Sequence, residues 1–347
     1  MKARAPLPNL TSLRFLAAAD VVLFHLGVAP GGYQAVTFFF ELSGFILVYV
    51  YSGEKLGDHM ATSSREFWRA RAARILPAYY LALFVAMPWP IYGAVVTGDI
   101  SFTNLCITAF FMIFLQQAWW PPVVMLWNPA AWSLSVEVVF YALFPWLIGS
   151  IRINARQCVA LSFLLLVIKD VLRAMLPAPS APDMTSSLWK FEQFFPLFHL
   201  PEFLFGMALG TLFLFDRSFS QRAHLVMLSV GMIALIADFR MGWLNSSAIS
   251  ISFGLIILGA TKAPFAVLQS SALIFLGETS YSIYILHQPI SLWTDWIERK
   301  FGMELDPIFR NLLYLATVSC ASAFAFLFIE KPLRRIILGR KEHPDRS

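Results

Sequence analysis

Residues 34–52 read QAVTFFFELSGFILVYVYS, an apolar stretch in which Glu41 is the one charged residue. As an α-helix these 19 residues would extend about 28 Å. The hydrocarbon core of a bilayer is about 30 Å thick, and backbone polar groups inside it must pair within their own segment. The stretch therefore predicts a helix that crosses a membrane.

Similar stretches recur along the whole chain of 347 residues. Hydrophobic residues make up 58% of the sequence and charged residues only 14%, whereas about a quarter of the residues in soluble domains are charged. This composition excludes a water-soluble surface and predicts an integral membrane protein. Eleven apolar segments can be delimited: 10–29, 34–52, 74–96, 101–119, 132–150, 157–176, 194–215, 223–238, 247–262, 271–293 and 308–330.

The basic residues lie in short runs between the apolar segments, as is typical of loops on the cytoplasmic side of a membrane. The net charge of +5 is therefore attributed to loops that orient the protein in the membrane, and no nucleic-acid partner is predicted. Lys2 and Arg4 precede the first segment, and residues 331–341 make the other end basic as well. Both termini are thus predicted to be cytoplasmic, in the inner or plasma membrane of the cell.

Two cytoplasmic termini require an even number of crossings, so one of the eleven segments must fail to cross. Segment 74–96 contains three prolines and segment 101–119 precedes a polar, proline-rich run; the sequence leaves this choice open. We predict an all-α, polytopic membrane helical bundle of about ten transmembrane helices plus one broken or re-entrant segment. Residues 1–335 would form one transmembrane domain, and 336–347 a short basic cytoplasmic tail.

Ionisable side chains inside predicted spans cost a few kcal/mol each to insert, so they are kept either for pairing or for function. Arg14 and His25 lie eleven residues apart in the first segment, so they share a helix face about 16 Å apart in height. The same arithmetic places His25, Glu137 and His287 in the outer half of the membrane. This predicts a polar layer there, with interhelical pairing as the alternative interpretation.

Arg71 and Arg74 lie three residues apart in the basic run 65–74, so they share one helical face near the cytoplasm. Guanidinium forks bind phosphate oxygens in pairs, and coenzyme A carries a diphosphate and a 3′-phosphate. The two arginines therefore indicate a mouth for an acyl-CoA donor, with positive-inside anchoring as the alternative. Trp132 flanks the outer polar layer, where its ring would stack on a sugar.

Short motifs follow one another along nearly the whole chain. They are Arg14 followed by ten residues and His25; LSGF at 42–45; Arg-x-x-Arg at 71–74 with Pro77 and an aromatic pair; NPAAWSLSVEVVFY at 128–141; SYSIYILH at 280–287; and EKP at 330–332. In this order they resemble the acyltransferase 3 family, the multi-spanning O-acyltransferases that modify bacterial surface glycans.

The resemblance implies an acyltransferase 3-like domain that moves an acyl group, for which we expect acetyl, from cytoplasmic acyl-CoA to a hydroxyl of an extracytoplasmic glycan. That glycan would be a lipopolysaccharide O-antigen, an exopolysaccharide or a similar polymer. His25 would be the general base or a transient acyl acceptor, and Glu137 would orient and charge it. The remaining site residues are Arg14, Arg71 and Arg74 for the donor, and Trp132, Ser133, Ser43 and His287 for the substrate.

No permanently bound cofactor and no metal site is predicted, so acetyl-CoA enters as a substrate. The membrane lipids, the donor and the glycan are the expected partners. Some members of the family carry an extracytoplasmic hydrolase-like domain, so a separate acyl-transfer protein is a further possible partner. The rival functions are a transporter or flippase that uses the buried His and Glu residues for proton coupling, and a scaffold whose polar layer is structural.

Overall fold

A computed structural model describes residues 4–55, 58, 60–150, 154–175, 185–216, 218–242 and 247–339, and within them every regular element is helical. The α-helices are α1 Pro8–His25, α2 Gly32–Tyr51, α3 Ser64–Ala86, α4 Pro88–Tyr92, α5 Phe102–Ile113, α6 Trp132–Ser150, α7 Ala155–Met175, α8 Ser187–Phe194, α9 Leu200–Phe215, α10 Gln221–Met241, α11 Ser247–Ala260, α12 Ser271–Phe301, α13 Pro307–Ala325 and α14 Lys331–Leu338.

Six helical stretches in the described part of the chain are long and apolar enough to cross a membrane. The predicted all-α membrane bundle is therefore confirmed, whereas the count of about ten spans stays a prediction. Residues 340–347 of the predicted basic tail lie outside the described residues.

The segment 101–119 supplies the weakest candidate for a crossing. Its helix, α5, has 12 residues and is about 18 Å long, which is too short for a 30 Å core. By contrast, residues of segment 74–96 belong to one continuous helical stretch, Ser64–Thr97, that is long enough. Of the two segments between which the sequence left the choice open, 101–119 is therefore the one whose helix is too short to cross.

Helices α1 and α12 pack closely and run in the same direction. Gly277 lies so near the backbone carbonyl of Thr11 that a Cβ atom there would overlap it. Further along both helices, the rings of His25 and His287 are 4.9 Å apart between centroids. A parallel pair requires an odd number of crossings between α1 and α12, and eight predicted segments lie between them, so the parallel arrangement agrees with one of these segments not crossing. Small residues at such contacts are what lets membrane helices approach.

The proline in the middle of α12 is accommodated by a side chain from outside the helix. Pro289 has no N–H, so the carbonyl of Ile285 loses its helical donor. The Asn128 side chain donates to that carbonyl at 3.0 Å, just before α6 begins. This buried hydrogen bond fixes the start of α6 against α12, next to the residues predicted to form the site.

Candidate active site

A cavity of about 140 Å³ lies between α1, α2, α3, α6 and α12. Six of the nine predicted site residues line it: Arg14, Ser43, Arg71, Arg74, Ser133 and Glu137. We call this space the arginine cavity. Its other polar lining comes from Tyr141, Ser280, Tyr281 and Tyr284.

The three arginines of the arginine cavity keep hydrogen-bond donors free. Arg71 donates through Nη2 to the Tyr51 hydroxyl at 3.0 Å, and its buried Nε has no partner. Arg74 pairs through Nη1 with Glu330 at 2.7 Å, and its buried Nη2 has none. Arg14 makes no hydrogen bond or ion pair with the residues that the structure describes. Unused guanidinium N–H groups in a recess are suited to bind phosphate oxygens.

Glu137 faces these arginines instead of His25. Its Oε1 atom accepts a hydrogen bond from Ser43 at 3.1 Å and another from Tyr141 at 2.5 Å. No hydrogen bond joins it to His25 within the described chain, so the predicted orientation of His25 by Glu137 is not observed. The physical reason is charge: a carboxylate in a membrane interior is stabilised beside guanidinium groups, and these lie on the cavity side of α6.

A second, larger space adjoins the arginine cavity. It has a volume of about 720 Å³ and lies between the start of α1, the second half of α2 and the start of α3. Arg14 lines both spaces, and Arg4 and Arg69 line the second alone. The basic residues therefore continue from the arginine cavity to the N-terminal end of α1, which is the end predicted to be cytoplasmic.

His25 and His287 form a pair at the opposite end of α1. The Nδ1 atom of His25 lies 2.8 Å from the Val21 carbonyl, and that of His287 lies 2.5 Å from the Tyr284 carbonyl. A carbonyl only accepts hydrogen bonds, so each neutral ring carries its proton on Nδ1 and has a lone pair on Nε2. His25 is exposed, whereas His287 is buried and its Nε2 has no partner.

Tyr284 connects the two parts of the site. Its hydroxyl lines the arginine cavity and lies 2.8 Å from the Ser133 hydroxyl. Its carbonyl fixes His287, and the two rings are 6.0 Å apart between centroids. The site is therefore elongated: the arginine cavity and the histidine pair lie along one helix, about 16 Å apart by the rise of α1 from Arg14 to His25.

Trp132 lies outside the arginine cavity, in a small separate cavity with Lys169 and Glu202. Its exposed fraction is 6%, and its ring contacts His199 and Phe194 at centroid distances of 5.2 and 5.0 Å. Protein rings therefore occupy the place of the sugar that the sequence analysis expected there. Ser133, the next residue, faces the arginine cavity because successive helical side chains point about 100° apart.

Three further residues belong to the site by position. Tyr141 is four residues after Glu137 and hence on the same helix face, a signal that the sequence contained. Tyr284 precedes His287 by three residues in the same way. Glu330 holds Arg74 from 256 residues away in sequence, so only the fold reveals that contact. Among the described residues, no group of three His, Cys, Asp or Glu side chains is placed to hold a metal ion.

Comparison with known proteins gives one family and several relatives. A family model described as an acyltransferase domain matches residues 7–329. YrhL of Bacillus subtilis is 25% identical over 94% of this chain and 55% of its own length. The O-acetyltransferase OatA of Staphylococcus aureus is 23% identical over 95% of this chain and 57% of its own length. The peptidoglycan O-acetyltransferase OatA of Listeria monocytogenes is 24% identical over 96% of this chain and 56% of its own length.

The chain thus spans little more than half the length of these curated relatives, between 55% and 57%. No solved structure gives a significant match to it.

Proposed function

The chain belongs to this acyltransferase family, and from that premise we propose that it is a membrane O-acetyltransferase that uses acetyl-CoA and acts on an extracytoplasmic glycan. The observation that supports the proposal most directly is the arginine cavity. Guanidinium donors without partners line a recess that continues to the end of α1 predicted to be cytoplasmic. The relatives' names motivate acetyl as the group and a glycan as the acceptor.

The donor's phosphates would bind Arg14, Arg71 and Arg74, and its thioester would extend toward the histidine pair. The distance along α1 from Arg14 to His25 is about 16 Å, and an extended pantetheine arm is of similar length on the scale of a five-residue peptide. Where the thioester reaches His25 but not the acceptor hydroxyl, His25 would carry the acyl group for the remaining step.

The acceptor hydroxyl would lose its proton to Nε2 of His25 as its oxygen attacks the acyl carbonyl. A neutral imidazole with a fixed tautomer is a suitable base for this step. The carbon–sulfur bond breaks, the coenzyme A thiolate leaves, and the thiolate is protonated to the thiol. In the acyl-enzyme route, Nε2 of His25 attacks the thioester and the thiolate leaves first. The acceptor oxygen then attacks the acyl carbon, the bond from that carbon to Nε2 breaks, and the hydroxyl proton goes to the freed Nε2.

The location in the inner or plasma membrane with cytoplasmic termini, and a separate extracytoplasmic acyl-transfer partner, are part of the same proposal. A transporter or flippase is not favoured, because the family match covers the chain from residue 7 to residue 329 and is to an acyltransferase domain.

The test uses the full chain, purified in detergent, with radiolabelled acetyl-CoA and cell-surface glycan isolated from a strain that lacks its gene. We expect alkali-labile acetyl ester on the glycan together with an equal amount of coenzyme A thiol. If the protein binds the glycan but releases no coenzyme A under these conditions, the result would contradict the proposal and support the transporter function instead.

A further inference from the structure

A third polar space lies beside His25, at the far end of the bundle from the arginine cavity. It has a volume of about 410 Å³ and lies between the end of α1, the last turns of α12 and the first turns of α13. We call it the outer pocket. Its polar lining includes His25, Thr294, Asp295, Glu298, Arg310 and Asn311.

The length of α12 places the outer pocket beyond the hydrocarbon. The helix has 31 residues, and Asp295 lies 24 residues after Ser271, which corresponds to about 36 Å along the axis. A hydrocarbon core is about 30 Å thick. Measured from the start of α12, Asp295 and Glu298 therefore lie past the membrane core, within reach of a water-soluble ligand.

The charged side chains that line the outer pocket disfavour the binding of an anion. Arg310 is held by two carboxylates, at 2.5 Å from Asp295 and 2.8 Å from Glu298. One guanidinium and two carboxylates leave a net negative charge. This negative charge would repel a phosphate or a carboxylated sugar, because Arg310 is already paired with both carboxylates. An uncharged polar ligand would not be repelled.

Two polar groups in the outer pocket are free to bind such a ligand. The second carboxylate oxygen of Asp295 accepts no hydrogen bond from the described residues, and the Asn311 side-chain amide makes none there. Tyr314 adds an aromatic ring to the wall and donates its hydroxyl to the carbonyl of His287 at 2.8 Å. Fixed acceptors, an amide and an aromatic ring are the groups that recognise sugar hydroxyls and sugar faces.

We propose that the outer pocket binds the acceptor, and that this acceptor is an uncharged, hydroxyl-rich sugar segment held by Asp295 and Asn311. The role of the bound sugar as acyl acceptor rests on the proposed function, whereas the binding of the sugar to the outer pocket does not. The bound sugar presents one hydroxyl to Nε2 of His25, which takes its proton as the oxygen attacks the acyl carbonyl. The acyl group and its acceptor thus enter the site from opposite ends.

The test measures binding alone, so it does not depend on the chemistry. The chain in lipid nanodiscs is titrated by isothermal calorimetry with fully N-acetylated chitotetraose, an uncharged sugar called chitotetraose below, and with a hyaluronan tetrasaccharide, its acidic counterpart. We expect saturable binding of chitotetraose that is weakened about three- to tenfold in Asn311→Ala and in Asp295→Asn, the effect of about one lost hydrogen bond. The acidic sugar should bind more weakly.

Glu304→Gln is the matched control, because Glu304 is exposed in the same loop region and does not line the outer pocket. It should leave chitotetraose binding unchanged. Parent protein that fails to bind chitotetraose, equal binding by parent and Asn311→Ala, or a preference for the acidic sugar would each overturn the assignment. Acetyl-CoA binding, measured on the same samples, should be equal in all variants and identifies any that has lost its fold.

Discussion

Each ring of the histidine pair has one nitrogen engaged by a backbone carbonyl and one left with a lone pair. His25 also lines the outer pocket. Removing its ring in His25→Ala should lower acyl transfer at least 100-fold, the usual contribution of an essential general base. Donor binding should persist, because the arginine cavity lies about 16 Å away along α1.

His25 is exposed at a helix end, so its replacement should change thermal unfolding in detergent very little. Steady-state transfer and unfolding are measured on the same preparation. A His25→Ala protein that keeps more than about a tenth of the parent rate would show that the base is elsewhere, since a tenfold loss is only about 1.4 kcal/mol.

Arg71 offers a residue-scale test of the donor site. Arg71→Lys keeps the positive charge but removes the planar fork and the free Nε donor. We expect the KM for acetyl-CoA to rise about tenfold with a smaller change in kcat, in a direct assay of coenzyme A release. Arg222→Lys, at an exposed position of α10, is the control and should leave the KM unchanged.

At the scale of elements, the parallel contact of α1 and α12 sets the distance between the two histidines. A side chain at Gly277 would overlap the Thr11 carbonyl, so Gly277→Val should push the helices apart. Overpacking of this kind typically destabilises by about 1–3 kcal/mol. We expect a lower unfolding temperature and a reduced transfer rate, although Gly277 touches neither cavity.

Gly93→Ala serves as the comparison for Gly277→Val. A Cβ atom at Gly93 would meet only the side chain of Ile100, at 3.1 Å or more. It should be close to neutral in both assays. Equal behaviour of the two glycine variants would mean that the α1–α12 contact does not control the site.

The helices were predictable from hydropathy, and the shared face of Arg71 and Arg74 from helical spacing. The grouping of Arg14 with them came from the family resemblance, and the three do line one cavity. The partners of Glu137 were not predictable. The calculated depths put Glu137 in one polar layer with His25 and His287, yet its carboxylate lies in the arginine cavity and accepts a hydrogen bond from Ser43, so Glu137 is not part of that layer. The partners of a side chain depend on which helices pack beside its own helix. The sequence of one segment does not say which helices these are.

At the scale of the whole molecule, the arginine cavity and the outer pocket open toward opposite ends of the bundle. Vesicles with oriented protein should therefore form ester when acetyl-CoA is enclosed on the Arg71 side and an impermeant glycan is added on the His25 side. Product is measured on the glycan after removal of the vesicles. Ester formed only when both substrates share the Arg71 side would refute a two-sided site.

The separation of the histidine pair from the arginine cavity also makes each turnover electrochemically asymmetric. The attacking hydroxyl gives up a proton at the His25 end. The thiolate also forms there, but it withdraws with the rest of coenzyme A through the arginine cavity and takes up its proton on the Arg71 side. One proton equivalent is therefore released on one face and consumed on the other for every ester formed, unless the protein returns it. A pH-sensitive dye outside sealed, weakly buffered vesicles should report acidification in step with acetylation, and an opposing pH gradient should slow the enzyme.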